Sequence, residues 1–214
     1  MEYKISPNFD DSKLDLDNID DLIDVFEDRT RYWLFEPSKN LLGKQHGDIA
    51  GLGLLLTYFE GITIYVKGKD SKNNSKAFFK EGFLSVFKAS GMDDELLKRV
   101  ADIFYTDARC GFFHDGFGFR SRILVSPDAN QDLIITLPKK NGRTDRDGEI
   151  QSIIVNPNRL FPAIEYHFNQ YLNQIRDKYN KDLRAKFQEA CKIKWALEGP
   201  PIVIGLDPND ITSP

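Results

Sequence analysis

Ile49–Val66, IAGLGLLLTYFEGITIYV, is the stretch on which the fold turns. Eighteen residues with a single charge, Glu60, read either as a membrane span or as the core helix of a bundle. A span needs ~20 apolar residues. A carboxylate near its centre costs roughly 2.5–3.5 kcal/mol on insertion scales. A helix that is apolar on most sides is also what the centre of a helical domain looks like. The reading is therefore a core helix in a cytoplasmic protein with no membrane partner. Gly51 and Gly53 weaken the helix by up to ~1 kcal/mol each relative to alanine, and they let a neighbouring element come close.

Composition agrees with a packed core. The 214 residues include 26 aromatic side chains, and 41% are hydrophobic. That excludes a disordered tail. Two cysteines, Cys110 and Cys191, are too few for a disulfide-built scaffold. The first eleven residues have neither a basic region nor an apolar run, so no signal peptide is expected. Charge is uneven: residues 1–28 carry ten acids and two bases, so the other 186 sum to +4 within a total of −4. The acidity belongs to one end and leaves a nucleic-acid surface open elsewhere.

Outward from the apolar stretch, the periodicity is helical on both sides. Met1–Asn18 reads as a frayed, Asp-rich lead-in. Ile19, Leu22, Ile23, Phe26, Trp33 and Leu34 then recur at helical spacing behind the cap Asn18, and Pro37 is read as that helix's end. Lys67–Ser75 is a polar turn. A third helix covers Lys76–Ser90, with Phe78, Phe79, Phe83, Val86 and Phe87 inside. A fourth follows the cap Asp93 or Asp94, with Leu97, Val100, Ala101, Phe104, Tyr105 and Ala108 in the i, i+3, i+4 rhythm; it runs to about His114, with Gly116 as its breaker.

Between Arg122 and Asn156 the pattern becomes β. Ile123–Val125, Leu133–Leu137 and Ile150–Val155 are short β-branched runs, read as two or three antiparallel strands around the basic loop Lys139–Asp147. Helical spacing returns from Arg159 and again in the basic stretch Lys181–Ala196; Gly199–Pro201 ends it, and Ile202–Ile204 is a candidate edge strand. The predicted fold is a mainly α (α+β) single domain over residues 1–214. It is an antiparallel bundle of four to five helices with a small appended antiparallel sheet.

Chemistry concentrates in Arg109-Cys110-Gly111-Phe112-Phe113-His114. His46, His114 and His167 are far apart, and no zinc-type spacing occurs, so no metal or cofactor is expected. Histidine moves protons near neutral pH, and arginine holds a phosphate in a planar fork. RNA brings its own nucleophile, the 2′-hydroxyl. Its cleavage needs a base, an acid and positive charge on the transition state. The bland readings are a helix-terminal His114 bonded to the last carbonyls and an Arg109 held by an acid: Asp102, Asp107, Asp115 or a tertiary one.

The stretch Tyr105–Gly116, YTDARCGFFHDG, resembles the HEPN superfamily, helical bundles with an Arg-x4–6-His motif late in a core helix. The resemblance covers about residues 18–118 and the helix at about 159–180; residues 122–156 would be an elaboration. It implies a metal-independent endoribonuclease acting on RNA, of the kind found in toxin–antitoxin and defence systems. Arg109 would then hold the scissile phosphate, and His114 would transfer protons. It also implies a homodimer and, in a toxin, an antitoxin protein as partner. Active members often carry Asn, Asp or His after the arginine, where this chain has Cys110. The alternative is a catalytically inactive module for RNA or nucleotide binding or for dimerisation. Arg120, Arg122, Lys139, Lys140, Arg143 and Arg146 are the candidate RNA-backbone contacts.

Overall fold

The computed structural model describes residues 5–88, 91–116 and 118–197. Within them run α1 (Ile19–Arg29), α2 (Glu36–Leu41), α3 (Asp48–Lys67), α4 (Ser75–Phe87) and α5 (Asp94–Ile103). Strands β1 (Ile123–Val125), β2 (Leu133–Thr136), β3 (Lys139–Lys140), β4 (Arg143–Thr144) and β5 (Ser152–Val155) follow, and then α6 (Pro157–Arg176) and α7 (Lys181–Trp195). This is the mainly helical α+β class expected, a bundle with a small sheet.

The apolar stretch is the centre of the bundle. Leu52, Leu55, Leu56 and Phe59 of α3 are fully buried, and α2, α4, α6 and α7 pack around it. A helix apolar all round needs neighbours on every side, and most of its membrane-length window is covered by them. Its tightest neighbour is α4. There Phe59, Phe79 and Phe83 interlock with ring centroids 5.3 and 5.2 Å apart, across Gly82.

Pro37 does not end the first helix. Residues 19–41 form one rod whose middle, Thr30–Phe35, is π-wound, and the Glu36 amide donates to the Arg31 carbonyl five residues back. Proline costs a helix its i→i−4 bond and clashes with the carbonyl there. Directly after a π turn that bond is already displaced, so the proline is accommodated.

The lead-in is not frayed over its described part. Asp28 accepts from the Asn8 amide at 2.9 Å and from Asn8 Nδ2 at 2.6 Å, and Arg29 Nε donates to the Ile5 carbonyl at 2.6 Å. Burial opposes the Asp28 charge, yet the Asn8 donors help hold its carboxyl below the usual range.

The charge asymmetry of the sequence is a seam within the fold. Arg176 reaches Asp24 at 2.9 Å and Glu27 at 2.7 Å, and Arg184 reaches Asp20 at 2.8 Å. The acidic α1 thus neutralises part of the basic α6–α7 region.

The appended sheet is mixed, not antiparallel. Its order is β1-β5-β2, with β1 parallel to β5 and β2 antiparallel to it. A parallel pair needs a crossover of a dozen or more residues, and residues 126–151 supply it. β5 takes the centre because Ile153 and Val155 are fully buried. The basic loop is a separate hairpin, β3–β4. Its turn, Asn141-Gly142, has φ of 53° and 77°, the left-handed pair that a two-residue hairpin requires. The helix end at Gly199 and the strand at Ile202–Ile204 fall outside the described residues.

Candidate functional site

The helix that starts at α5 carries the Arg–His pair, and its winding decides the pair's geometry. In a regular α-helix, residues five apart stand about 140° apart around the axis and face different ways. Here α5 passes into π winding over Phe104–Arg109 and again over Gly111–Asp115, ending on left-handed Gly116. Wider turns align residues five apart. Arg109 Nη1 and His114 Nε2 accordingly lie 3.1 Å apart. A guanidinium has only donors, so Nε2 is the acceptor.

Arg109 is held on a second side by a tertiary acid. Its Nη2 donates to Glu60 Oε2 at 3.3 Å. Glu60 also accepts from Ser71 Oγ at 2.8 Å and from Ser75 Oγ at 2.7 Å. Tyr105 donates to Ser75 Oγ at 3.3 Å. The guanidinium carbon sits 5.6 Å from the Tyr105 ring centre and 5.5 Å from that of Phe113, so the cation lies between two aromatic rings one helical turn either way. The acids nearer in sequence are taken. Asp102 binds Lys76 and Lys80, Asp107 binds Arg122, and Asp115 binds Arg120.

Arg109 is about a quarter exposed, whereas His114 is open to solvent. Beside them lies a cavity of about 290 Å³ lined in part by Glu60, Gly61, Ser71, Arg109, Phe113 and Lys194. Phe112 anchors the turn: its ring packs where a side chain on Gly53 would stand, 2.5 Å from that Cβ position. Cys110 is a half-buried free thiol. Among the described residues, no group of three or more His, Cys, Asp or Glu is placed to hold a metal.

The other candidates spread out. Arg122 Nε meets buried Asp107 at 2.6 Å, a hydrogen bond that raises the guanidinium above its ordinary value. Arg120 binds Asp115 at 2.8 Å, which raises the arginine and lowers the acid. Lys139, Lys140, Arg143 and Arg146 are exposed on the hairpin segment, their charged groups in no ion pair among the described residues. Arg99 of α5 holds the segment's return, donating to the carbonyls of Arg146, at 2.9 Å, and Gly148. Arg99 precedes Arg109 by ten residues on the same continuous helix.

The Arg109–His114 pair was legible as a motif. Glu60, Ser71, Ser75, Tyr105 and Phe113 were not singled out as site residues. One signal existed: a lone carboxylate in an apolar core helix needs a partner. No family model, curated protein or solved structure matches the chain.

Proposed function

We propose that the chain is a metal-independent endoribonuclease of HEPN type, cytoplasmic, acting in a toxin or defence system. The observation that carries this reading is the 3.1 Å contact between Arg109 and His114, which π winding brings onto one face beside a solvent-open cavity. Among the described residues, two of the five guanidinium donors of Arg109 are engaged, by His114 and Glu60, and the others are left for a phosphate. A phosphate that draws Nη1 away releases the His114 Nε2 lone pair. That nitrogen then takes the proton of the 2′-hydroxyl as the oxygen attacks phosphorus. The 5′-oxygen leaves, protonated, and a 2′,3′-cyclic phosphate remains. In-line attack puts the leaving oxygen on the far side of the phosphorus. A second His114, brought by a C₂ homodimer and entering as the imidazolium, supplies that proton and ends neutral, while the first ends as the imidazolium. The hairpin cations Lys139, Lys140, Arg143 and Arg146 guide the RNA backbone.

The second reading is a catalytically inactive RNA- or nucleotide-binding or dimerisation module. It is favoured by Cys110 at the position after the arginine. One assay separates the two. Purified protein is incubated with structured RNA in excess EDTA, beside His114→Ala and Arg109→Ala. Catalysis predicts that His114→Ala lowers the rate by ~10²–10⁴-fold. Arg109→Lys does not rescue Arg109→Ala fully, because a point charge lacks the fork. Cleavage unchanged in His114→Ala removes the catalytic reading; salt-dependent binding without cleavage selects the module. Light scattering that shows a monomer at micromolar concentration removes the composite site.

A further inference from the structure

We infer that the cavity beside Arg109 seats one unpaired nucleotide of an RNA strand, its base lying on the Phe113 ring. The inference rests on the ribonuclease reading and names the substrate form that site selects. Phe113 is a large apolar side chain left 45% exposed at the rim of the cavity. Its position is fixed from two directions. Arg109 stacks against it, and Phe112 meets it edge-on, with ring centres 5.2 Å apart and planes at 81°. Phe112 in turn is locked over Gly53. A pre-positioned, half-open ring beside a phosphate-binding guanidinium is the pairing that single strands use: aromatic faces for bases and cations for the backbone.

The cavity has the corresponding chemistry. Its apolar floor is Leu56 and Ile64, and a cation stands on its wall at each of Arg109 and Lys194. Among the described residues, Glu60 spends Oε2 on Ser75 and Arg109 but gives Oε1 only to Ser71. One acceptor position therefore remains for an exocyclic amino group of a base, the contact that carboxylates make with cytosine N4. A volume of about 290 Å³ lies at the lower edge of small-ligand sites. It is room for about one nucleotide. In a duplex both faces of a base are covered by its neighbours, so only a base in a loop, bulge or single strand can reach Phe113.

The test uses a short RNA carrying 2-aminopurine at the nucleotide to be seated, with 2′-O-methyl there to block cleavage. The same strand is also presented within a duplex. The expected result is quenching on binding of the unpaired form and weak binding of the duplex. Phe113→Ala should remove the quenching and weaken binding about 5- to 150-fold, the range for one base–aromatic stack, and Phe113→Trp should restore both. Circular dichroism controls for folding. Equal quenching and affinity in Phe113→Ala, while Arg109→Ala abolishes cleavage of the unblocked RNA, overturns the seat and leaves the ribonuclease reading intact. Equal binding of duplex and single strand also overturns it. Loss of the dimer in Phe113→Ala with stacking unchanged assigns the ring to a protein interface instead. Neither binding nor cleavage of any RNA by the unaltered protein overturns the seat and the ribonuclease reading together.

Discussion

Replacing Gly82 by alanine tests the contact that holds the bundle and its site together. A Cβ at Gly82 would stand 1.9 Å from the Phe59 carbonyl oxygen and 2.7 Å from the carbonyl carbon. Both belong to the backbone of α3, so no side-chain rotation relieves the clash, and α3 and α4 must separate by about 1 Å or more. A radial gap of that size forfeits roughly a quarter to a half of the dispersion energy of the atoms it parts. The atoms here are those of Phe59, Phe79 and Phe83, all fully buried. Overpacking of this kind costs about 1–3 kcal/mol and occasionally more. Because the clash is with backbone atoms, the cost lies at the upper end of that range; alanine returns up to ~1 kcal/mol in helix propensity, so the expected net loss is about 2 kcal/mol. For a chain of this length that lowers Tm by about 4–8 °C. Gly61→Ala, on α3 itself, is the internal control. Among the described residues nothing lies within 4 Å of its Cβ position, so the propensity term acts alone and Tm should rise by about 2–4 °C. Thermal melts followed at 222 nm decide it. Equal Tm changes for the two variants, or a Gly82→Ala melt at or above the parent's, would refute the close-approach argument. Glu60 follows Phe59 directly, so Gly82→Ala should also reduce any activity that needs Arg109.

Glu60→Gln removes the charge partner of Arg109 and sets an amide against its donors. The expected cost in urea unfolding is about 1–2 kcal/mol, and it should be less than additive with Arg109→Ala; full additivity would mean that the two side chains do not interact. Arg122→Ala strands the buried Asp107 carboxylate, whose partner stands at 2.6 Å. It should lower stability by about 2–3 kcal/mol and leave the salt dependence of RNA binding unchanged; a flatter salt slope would return Arg122 to the RNA contacts. His167 shares a 2.8 Å hydrogen bond with the Tyr58 hydroxyl, and burial lowers its pKa from the ordinary 6.5. The unfolded chain therefore binds the extra proton first. The stability that neutral His167 gives is complete above about pH 6.5 and is lost as pH falls through its folded value. His167→Gln should flatten the Tm-against-pH curve between pH 7 and 5, and an unchanged slope would rule this out.

The helices were legible because their signals are local. Asn18 accepts from the Asp21 amide, and Asp93 accepts from the Glu95 and Leu96 amides, as caps at helix starts should. The apolar rhythm of Leu97, Val100, Ala101 and Phe104 maps directly onto a buried face. Strand pairing is not local. Ile123–Val125 and Ser152–Val155 look alike as sequence, and nothing in either says that they run parallel with a crossover between them. The proline rule failed at Pro37 because it assumes α winding. A π turn changes which carbonyl a proline displaces.

That same winding explains why half of the site could be read and half could not. Counted on an α-helix, an interval of five residues separates Arg109 from His114, and the motif becomes a site only where the helix widens. The widening leaves no residue signature of its own in Phe104–Asp115. It is selected by packing, since Phe104 and Ala108 are fully buried while Phe112 fills the notch at Gly53. The partner acid was hidden differently. Glu60 is 49 residues from Arg109, and on its own helix it registers only as an interruption of an apolar run. Its cost in that run is offset by three donors, Arg109, Ser71 and Ser75, that arrive from other parts of the chain. An acid retained in a core helix against its desolvation cost, with a guanidinium drawn onto it between two aromatic rings, positions Arg109 before any ligand arrives. The energy that holds the arginine in place is thus supplied by folding, and a phosphate meeting it need not order the side chain as it binds.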